Sequence, residues 1–207
     1  MSKTALDFIE RHGMSPALID PAEFAGKMRA DMERGLCGEP SSMPMIPTYI
    51  KDGGEIEKGV PVVVIDAGGT NFRSGLVTFT DGGHTLERVT KKKMPGTDKP
   101  ASWEEFISFT ADNIQPLLER AELIGFCFSY NADITPEIDG RVNRIDKEVV
   151  VTGSAGKLVG KSLIEELERR GIMGKRVFVL NDTVAALLGA SSGMDKSAYG
   201  GFIGQIS

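Results

Sequence analysis

Histidine and cysteine are nearly missing from these 207 residues, with two of each, and basic residues do not outnumber acidic ones. His12 and His84 stand far from each other and from Cys37 and Cys127. No zinc-ligand spacing, redox cysteine pair or Ser-His-Asp triad can be drawn from so few groups. Reduced thiols in the cytoplasm are therefore expected, with Cys127, on an apolar run, behaving as a small buried hydrophobe. The net charge of −5 excludes a general nucleic-acid or membrane-surface role, because such partners select basic surfaces. The one basic run, Lys91 to Lys93, is short. No apolar run nears the ~20 residues of a membrane span, the N-terminus is too charged for a signal peptide, and there is no low-complexity tract or internal repeat. What is present is 41% hydrophobic content, enough to bury a sizeable core.

The most informative stretch runs from Val62 to Phe79, where Asp66, Gly68, Gly69, Thr70 and Asn71 sit between two strand-like runs. Val62 to Ile65 is a short β-branched run typical of a buried strand, and Leu76 to Phe79 resumes the pattern. Glycine suits such a turn by tolerating positive φ and by letting backbone N–H groups approach a phosphate with no Cβ in the way. Asp66, at the strand end, would then hold Mg2+ through water, since Mg2+ dehydrates reluctantly and takes few carboxylates beside phosphate oxygens. Two readings stand together, a Gly-Gly hairpin turn and a phosphate cradle. Far downstream Arg176 to Leu180 reads as another buried strand, running into Asn181, Asp182 and Thr183 and then an alanine-leucine helix. Thr183 or Asp182 suits its N-cap.

Two strand-terminal aspartates with glycine or amide neighbours make the chain resemble the hexokinase family of sugar kinases, within the actin-like ATPase superfamily. Further motifs in the family's order extend the resemblance along nearly the whole chain. They are the helix-like Phe24 to Leu36 followed by Met43 to Thr48, then Gly125 to Tyr130 and Gly140 to Lys147. The resemblance implies an α/β fold, the ribonuclease H-like small domain of actin-like ATPases with a mixed sheet. It places an N-terminal helical segment at 1–60, the small domain at 61–182 and the start of a mostly absent large domain at 183–207. The implied activity is ATP-dependent phosphorylation of a hexose, glucose foremost, at its 6-hydroxyl. Asp182 would be the catalytic base, and Ser129, Asp146, Lys147 and Asn181 would join it on the sugar. Asp66, Gly68, Gly69, Thr70, Asn71 and Lys91 would bind nucleotide phosphates, with Mg2+ at Asp66, while Arg73 braces the turn. The chain would be the N-terminal half of such a kinase, lacking its C-terminal partner and turning over negligibly alone.

Departures from the family pattern cluster on the sugar side. Tyr130 and Asn131 stand at its Phe-Pro, Ile145 at a tryptophan, and Asp146 at a threonine. Asp146 either accepts hydrogen bonds from sugar hydroxyls or neutralises Lys147. A non-catalytic, hexokinase-like sugar-binding or regulatory module is therefore the alternative, and a kinase of the superfamily with another substrate is a third reading. Glu148 to Ser162 imitates a P-loop, but that pattern needs glycine at position 155, where alanine stands. It reads instead as a loop leading into an amphipathic helix over 163–170.

Helices are expected within 3–36, started at Ser15-Pro16 and Asp20-Pro21, and a turn-rich connection over 51–58. A helix is expected over 103–120, with Ser102 and Glu105 forming a capping box and Trp103 packing. Strands at 124–128, 149–151 and 177–180, with helices at 160–170 and 183–190, complete an α/β alternation with a mixed sheet. Tyr199 to Ser207 reads as a strand that stops as it begins.

Overall fold

The computed structural model describes residues 2–18, 20–43, 45, 47–50, 57–145 and 148–193. Asp146, Lys147, most of the 51–58 connection and the strand expected at 199–207 lie outside them. The chain divides into two compact units, Met1–Pro47 and Thr48–Ser207.

In the first unit, helix α1 spans Lys3–Arg11 and α2 spans Pro21–Leu36, with a 3-10 turn at Pro16–Leu18. Asp20 caps α2 by accepting from the Ala22 N–H at 2.9 Å, and Pro21 follows where a missing N–H costs nothing. Residues after the helix fold back on it, Ser41 Oγ donating to the Asp31 carbonyl at 2.7 Å. That return needs glycine at 35, because a Cβ there would lie 1.9 Å from the Met43 carbonyl oxygen.

The second unit is built on strands β1 Pro61–Ala67, β2 Asn71–Thr80, β3 Gly83–Lys93, β4 Ala101–Ser102, β5 Leu123–Phe128, β6 Asn131–Ile134, β7 Gly140–Arg144, β8 Val151–Thr152 and β9 Arg176–Leu180. Its helices are α3 Trp103–Ile114, α4 Val159–Arg169 and α5 Asp182–Gly193. The main sheet has the order β3-β2-β1-β5-β9. The first three strands are antiparallel, and β1, β5 and β9 are parallel. This is the expected mixed sheet. Among the described residues no helix is long and apolar enough to cross a membrane.

Alternation along the strands decides the core. Val63, Ile65 and Ala67 face inward with Leu76 and Phe72, with Ile124, Phe126 and Phe128, and with Val177 and Val179, all buried. Helices α3 and α4 cover this face through Phe106, Ile107, Ala111, Ile114, Leu163 and Leu167. Each of the leucine, isoleucine and phenylalanine side chains contributes about 1.5–3 kcal/mol when fully buried. The Ser102–Glu105 capping box forms as expected, and Trp103 is 3% exposed and stacks on Phe106 at 5.4 Å.

Two elements are shorter than the sequence suggests. The helix expected over 103–120 ends at Ile114 and tightens into a 3-10 turn at Gln115–Leu117, because Pro116 has no N–H to continue the ladder. The strand expected over 149–151 is reduced to Val151–Thr152. Val150 instead exchanges backbone bonds with Gly96 and Ala101, and a Cβ on Gly96, whose φ is 92°, would lie 2.7 Å from the Val150 carbonyl oxygen.

Just beyond α4, Arg170 ties that helix to α3. Its guanidinium donates to Glu166 at 2.7 Å, Asp112 at 2.6 Å and Ser108 Oγ at 2.9 Å, with its side chain only 15% exposed. Arg169 and Arg170 together hold the Glu166 carboxyl at about 2, against an ordinary 4.5, Arg169's hydrogen bond being the larger cause. Arg170→Ala is expected to cost about 2 kcal/mol in urea unfolding, and Arg170→Lys to restore little of it, because one ammonium cannot span the fork. The depressed Glu166 carboxyl stabilises the fold fully above pH 4.5 and loses that contribution as pH falls towards 2. In Glu166→Gln the acid limb of stability over that window should flatten, as read by unfolding at stepped pH.

Candidate functional site

Strands β1, β5 and β9 end side by side, at the edge where parallel sheets leave a crevice for ligands. Asp66 is in register with Cys127, and Cys127 with Leu180. Period-two alternation turns Asp66 to the face opposite buried Ile65 and Ala67. Arg73 and Lys91 continue the same row across β2 and β3. Arg73 donates to Asp66 at 2.6 Å, so it braces the turn and occupies one carboxylate oxygen. Lys91 stands two strands from Asp66, about 10 Å at the usual strand spacing.

Gly68, Gly69 and Thr70 join β1 to β2, and the Gly68 N–H donates to the Asn71 carbonyl at 3.1 Å. The segment is thus a hairpin loop, whichever ligand it meets. Neither glycine has positive φ, contrary to expectation. A Cβ on Gly69 would sit 2.5 Å from a Glu148 carboxylate oxygen, the end of an exposed side chain that can move aside. The Tyr130 hydroxyl lies 2.7 Å from the Gly68 carbonyl oxygen and 3.1 Å from that of Gly69. This phenol is 3% exposed, and burial, followed by the charges of Glu148 and Asp66, pushes its pKa up. The Thr70 carbonyl accepts from the Met94 N–H at 2.9 Å. Among the described residues, the N–H groups of Gly69 and Thr70 have no partner.

Asp182 is the first residue of α5. The cap is neither Thr183 nor Asp182, as expected, but Asn181. Its carbonyl accepts from the Ala185 N–H at 2.9 Å and its Oδ1 from the Thr183 N–H at 3.0 Å, an N–H from which Asp182 Oδ1 also accepts at 2.8 Å. The helix begins two residues sooner than a Thr183 cap requires. Capping also fixes the Asn181 amide, with its oxygen on the helix and its nitrogen left as a donor.

Cys127 reports how close these groups come. Its thiol is pushed up to about 12, by burial first and then by the negative charges of Asp66 and Asp182. It is therefore not the core residue expected; it faces the two carboxylates. Asp66, Cys127 and Leu180 stand in one row across β1, β5 and β9, with Ser129 just past β5, Asn181 and Asp182 just past β9, and the Gly68–Asn71 loop leaving β1. Asp146 and Lys147 lie outside the described residues, between buried Ile145 and exposed Glu148. A groove of about 370 Å3 runs along the open sheet face past Val64, Gly125, Cys127 and Leu180. Its lining is mostly apolar, with Asp66, Arg73 and Ser74 as polar members.

Among the described residues no three His, Cys, Asp or Glu side chains form a metal cage. Asp66, with one oxygen held by Arg73, fits an ion carried mainly by phosphate oxygens and water. The P-loop imitation is already closed. Asp139, from the β6–β7 turn, accepts from the Gly160 N–H at 2.6 Å and the Lys161 N–H at 2.8 Å, filling the anion position at the start of α4 with the chain's own carboxylate.

The residues missed in sequence were Tyr130 as a polar group, Glu148 and the Asp139 cap. A phenol ending an apolar strand was the available signal for Tyr130, since buried phenols seek an acceptor.

The hexokinase family model matches residues 19–192. Hexokinase-1 of Saccharomyces cerevisiae is 29% identical over 76% of this chain and 34% of its own length. The Schistosoma mansoni hexokinase is 28% identical over 91% of this chain and 44% of its own length. The solved structure of the S. mansoni hexokinase complexed with glucose superposes with a TM-score of 0.63 at 28% identity, over 78% of this chain and 38% of that one. The chain thus spans from a third to under half the length of these relatives.

Iodoacetamide at pH 8 should label exposed Cys37 and spare Cys127, whose thiol is almost wholly protonated there. Asp182→Asn should then speed Cys127 labelling at pH 9 by about twofold or more, as one opposing charge is removed. Peptide mass spectrometry reads both outcomes, and an unchanged rate would mean that Asp182 does not face the thiol.

Proposed function

This chain belongs to the hexokinase family, and from that premise we propose that it carries the sugar and phosphate side of an ATP-dependent hexose kinase. The reading rests on one observation, that Asp66 and Asp182 stand at the carboxyl ends of β1 and β9, the two parallel strands that flank β5.

In the proposed reaction a hexose, glucose foremost, presents its 6-hydroxyl to Asp182. The carboxylate aligns the hydroxyl and takes its proton as the oxygen bonds to the γ-phosphorus and ADP leaves. The Asn181 amide nitrogen donates to a neighbouring sugar hydroxyl, and Ser129 offers a donor and an acceptor. Lys147 holds a hydroxyl and favours the charge gathering on the transferred group. The Gly68–Asn71 loop and Lys91 take the phosphates. Asp66, through water, would help phosphate oxygens hold a Mg2+ ion, which would supply charge neutralisation. Residues from 183 onward begin the second domain of such a kinase, and the cytoplasm is its proposed compartment. The share of its relatives that the chain spans supports a further point, that these 207 residues turn over negligibly by themselves, because the cleft must close to exclude water.

Coupled detection of ADP release with glucose, mannose and fructose tests the reading. The chain alone should be silent, and the chain continued by the remaining length of the S. mansoni hexokinase should be active. Asp182→Asn should lower that activity by about 10²-fold to 10⁴-fold. A folded but silent chimera that still binds glucose by calorimetry would favour the non-catalytic module. Lys161→Ala should leave nucleotide binding unchanged, because its loop is closed by Asp139.

A further inference from the structure

The turn after β1 contains two consecutive glycines, the residues least able to keep a peptide plane in one orientation. Left to themselves, the Gly68–Gly69 and Gly69–Thr70 peptides have little steric reason not to flip. One group in the structure holds both. The Tyr130 hydroxyl, carried just past the end of β5, lies 2.7 Å from one carbonyl oxygen and 3.1 Å from the next. Its single proton is shared between the two acceptors.

A trans peptide points its N–H opposite to its C=O, and the chain has no cis peptide bond among the described residues. Drawing the Gly68 and Gly69 carbonyls onto one phenol therefore turns the N–H groups of Gly69 and Thr70 away from it, in succession. These are the two amides of the loop that have no partner among the described residues. Successive unpaired N–H groups on one side of a turn form a small anion-binding concavity. The remaining bonds of the turn fix its ends, the Gly68 N–H on the Asn71 carbonyl and the Thr70 carbonyl on the Met94 N–H. The phenol holds the middle.

We propose that Tyr130 is the positioning residue of the phosphate-binding turn, its hydroxyl locking two glycine peptides so that the Gly69 and Thr70 amides are set in advance for a phosphate oxygen. The proposal rests on the assignment of this turn to phosphate. It explains why a hydroxyl is kept at a site where it is costly to bury. The ring already packs edge-on against Phe128 at 5.1 Å, and phenylalanine would fill the same space. The hydroxyl's contribution is preorganisation, which lowers the ordering cost of binding without adding a contact to the ligand.

The test compares the 207-residue chain with Tyr130→Phe by amide-resolved NMR, titrating magnesium tripolyphosphate, a probe that needs no adenosine site. In the original chain the Gly69 and Thr70 amide signals should move on titration. In Tyr130→Phe, with dispersed spectra showing that the fold is retained, the same two signals should shift before any anion is added and exchange faster with solvent. Its affinity for the probe should fall about fivefold or more. A phenol that merely satisfied the core would lower the unfolding temperature and leave these two amides and the affinity alone, which overturns the proposal. Equal affinity in both proteins, with the original amides still responding, overturns the clamp and leaves the phosphate assignment standing. No response at the original amides removes the phosphate assignment and the clamp together, whereas the Asp182 assay above is unaffected by either result.

Discussion

The parallel seating of β5 between β1 and β9 is the constraint from which the site follows. Parallel pairing sends three strands in one direction, so their carboxyl ends finish along one edge. It also demands long crossover connections, which α3 and α4 supply, and these bury the inward residues of all three strands in one layer. Because side chains alternate, burying Ile65 and Ala67 turns Asp66 to the other face, in register with Cys127. A one-residue slip of β5 would exchange the buried Phe126 and Phe128 with Gly125 and Cys127 and empty the core. Core packing and site geometry are therefore one condition.

The electrostatics of that edge suit a ligand that brings its own cation. Asp66, Asp182 and Glu148 all lie near the loop or the thiol, and Arg73 neutralises Asp66 in part. Free anions would be repelled by such a group, whereas phosphates accompanied by Mg2+ would not. The start of α4 illustrates the contrast. There Asp139 occupies the helix N-terminus, so the positive end of that helix is satisfied internally, while two amides of the β1–β2 loop have no partner among the described residues.

Local signals in the sequence were read correctly where a single segment contains both halves of the interaction. The Ser102–Glu105 capping box, the Asp20 cap and the β-branched run of β1 each depend on neighbours within a few residues. Asp66 and Asp182 were recognisable as strand-terminal carboxylates for the same reason. Errors arose where a tertiary contact chose between local options. Cys127 looked like a core hydrophobe on an apolar strand, but the register placed it on the outer face. The Gly68–Gly69 pair suggested positive φ, yet neither glycine adopts it in the turn that the neighbouring strands impose. Val149 to Val151 has the composition of a strand, but its backbone bonds go to the Gly96 loop.

By itself the sequence determined the elements, their caps, the inward and outward alternation, and the resemblance that led to the family. These rest on helical and strand periods and on hydrogen bonds that close over three or four residues, so no long-range information is needed. Only the tertiary structure decided that Asp66 lies in register with Cys127, that Asn181 rather than Thr183 caps α5, and that a phenol just past β5 fastens the glycine loop of β1. Each of these joins groups distant in the chain, or depends on where a strand must stop to fit its neighbour. Strand register sets such relations, and register is fixed by the packing of the whole core.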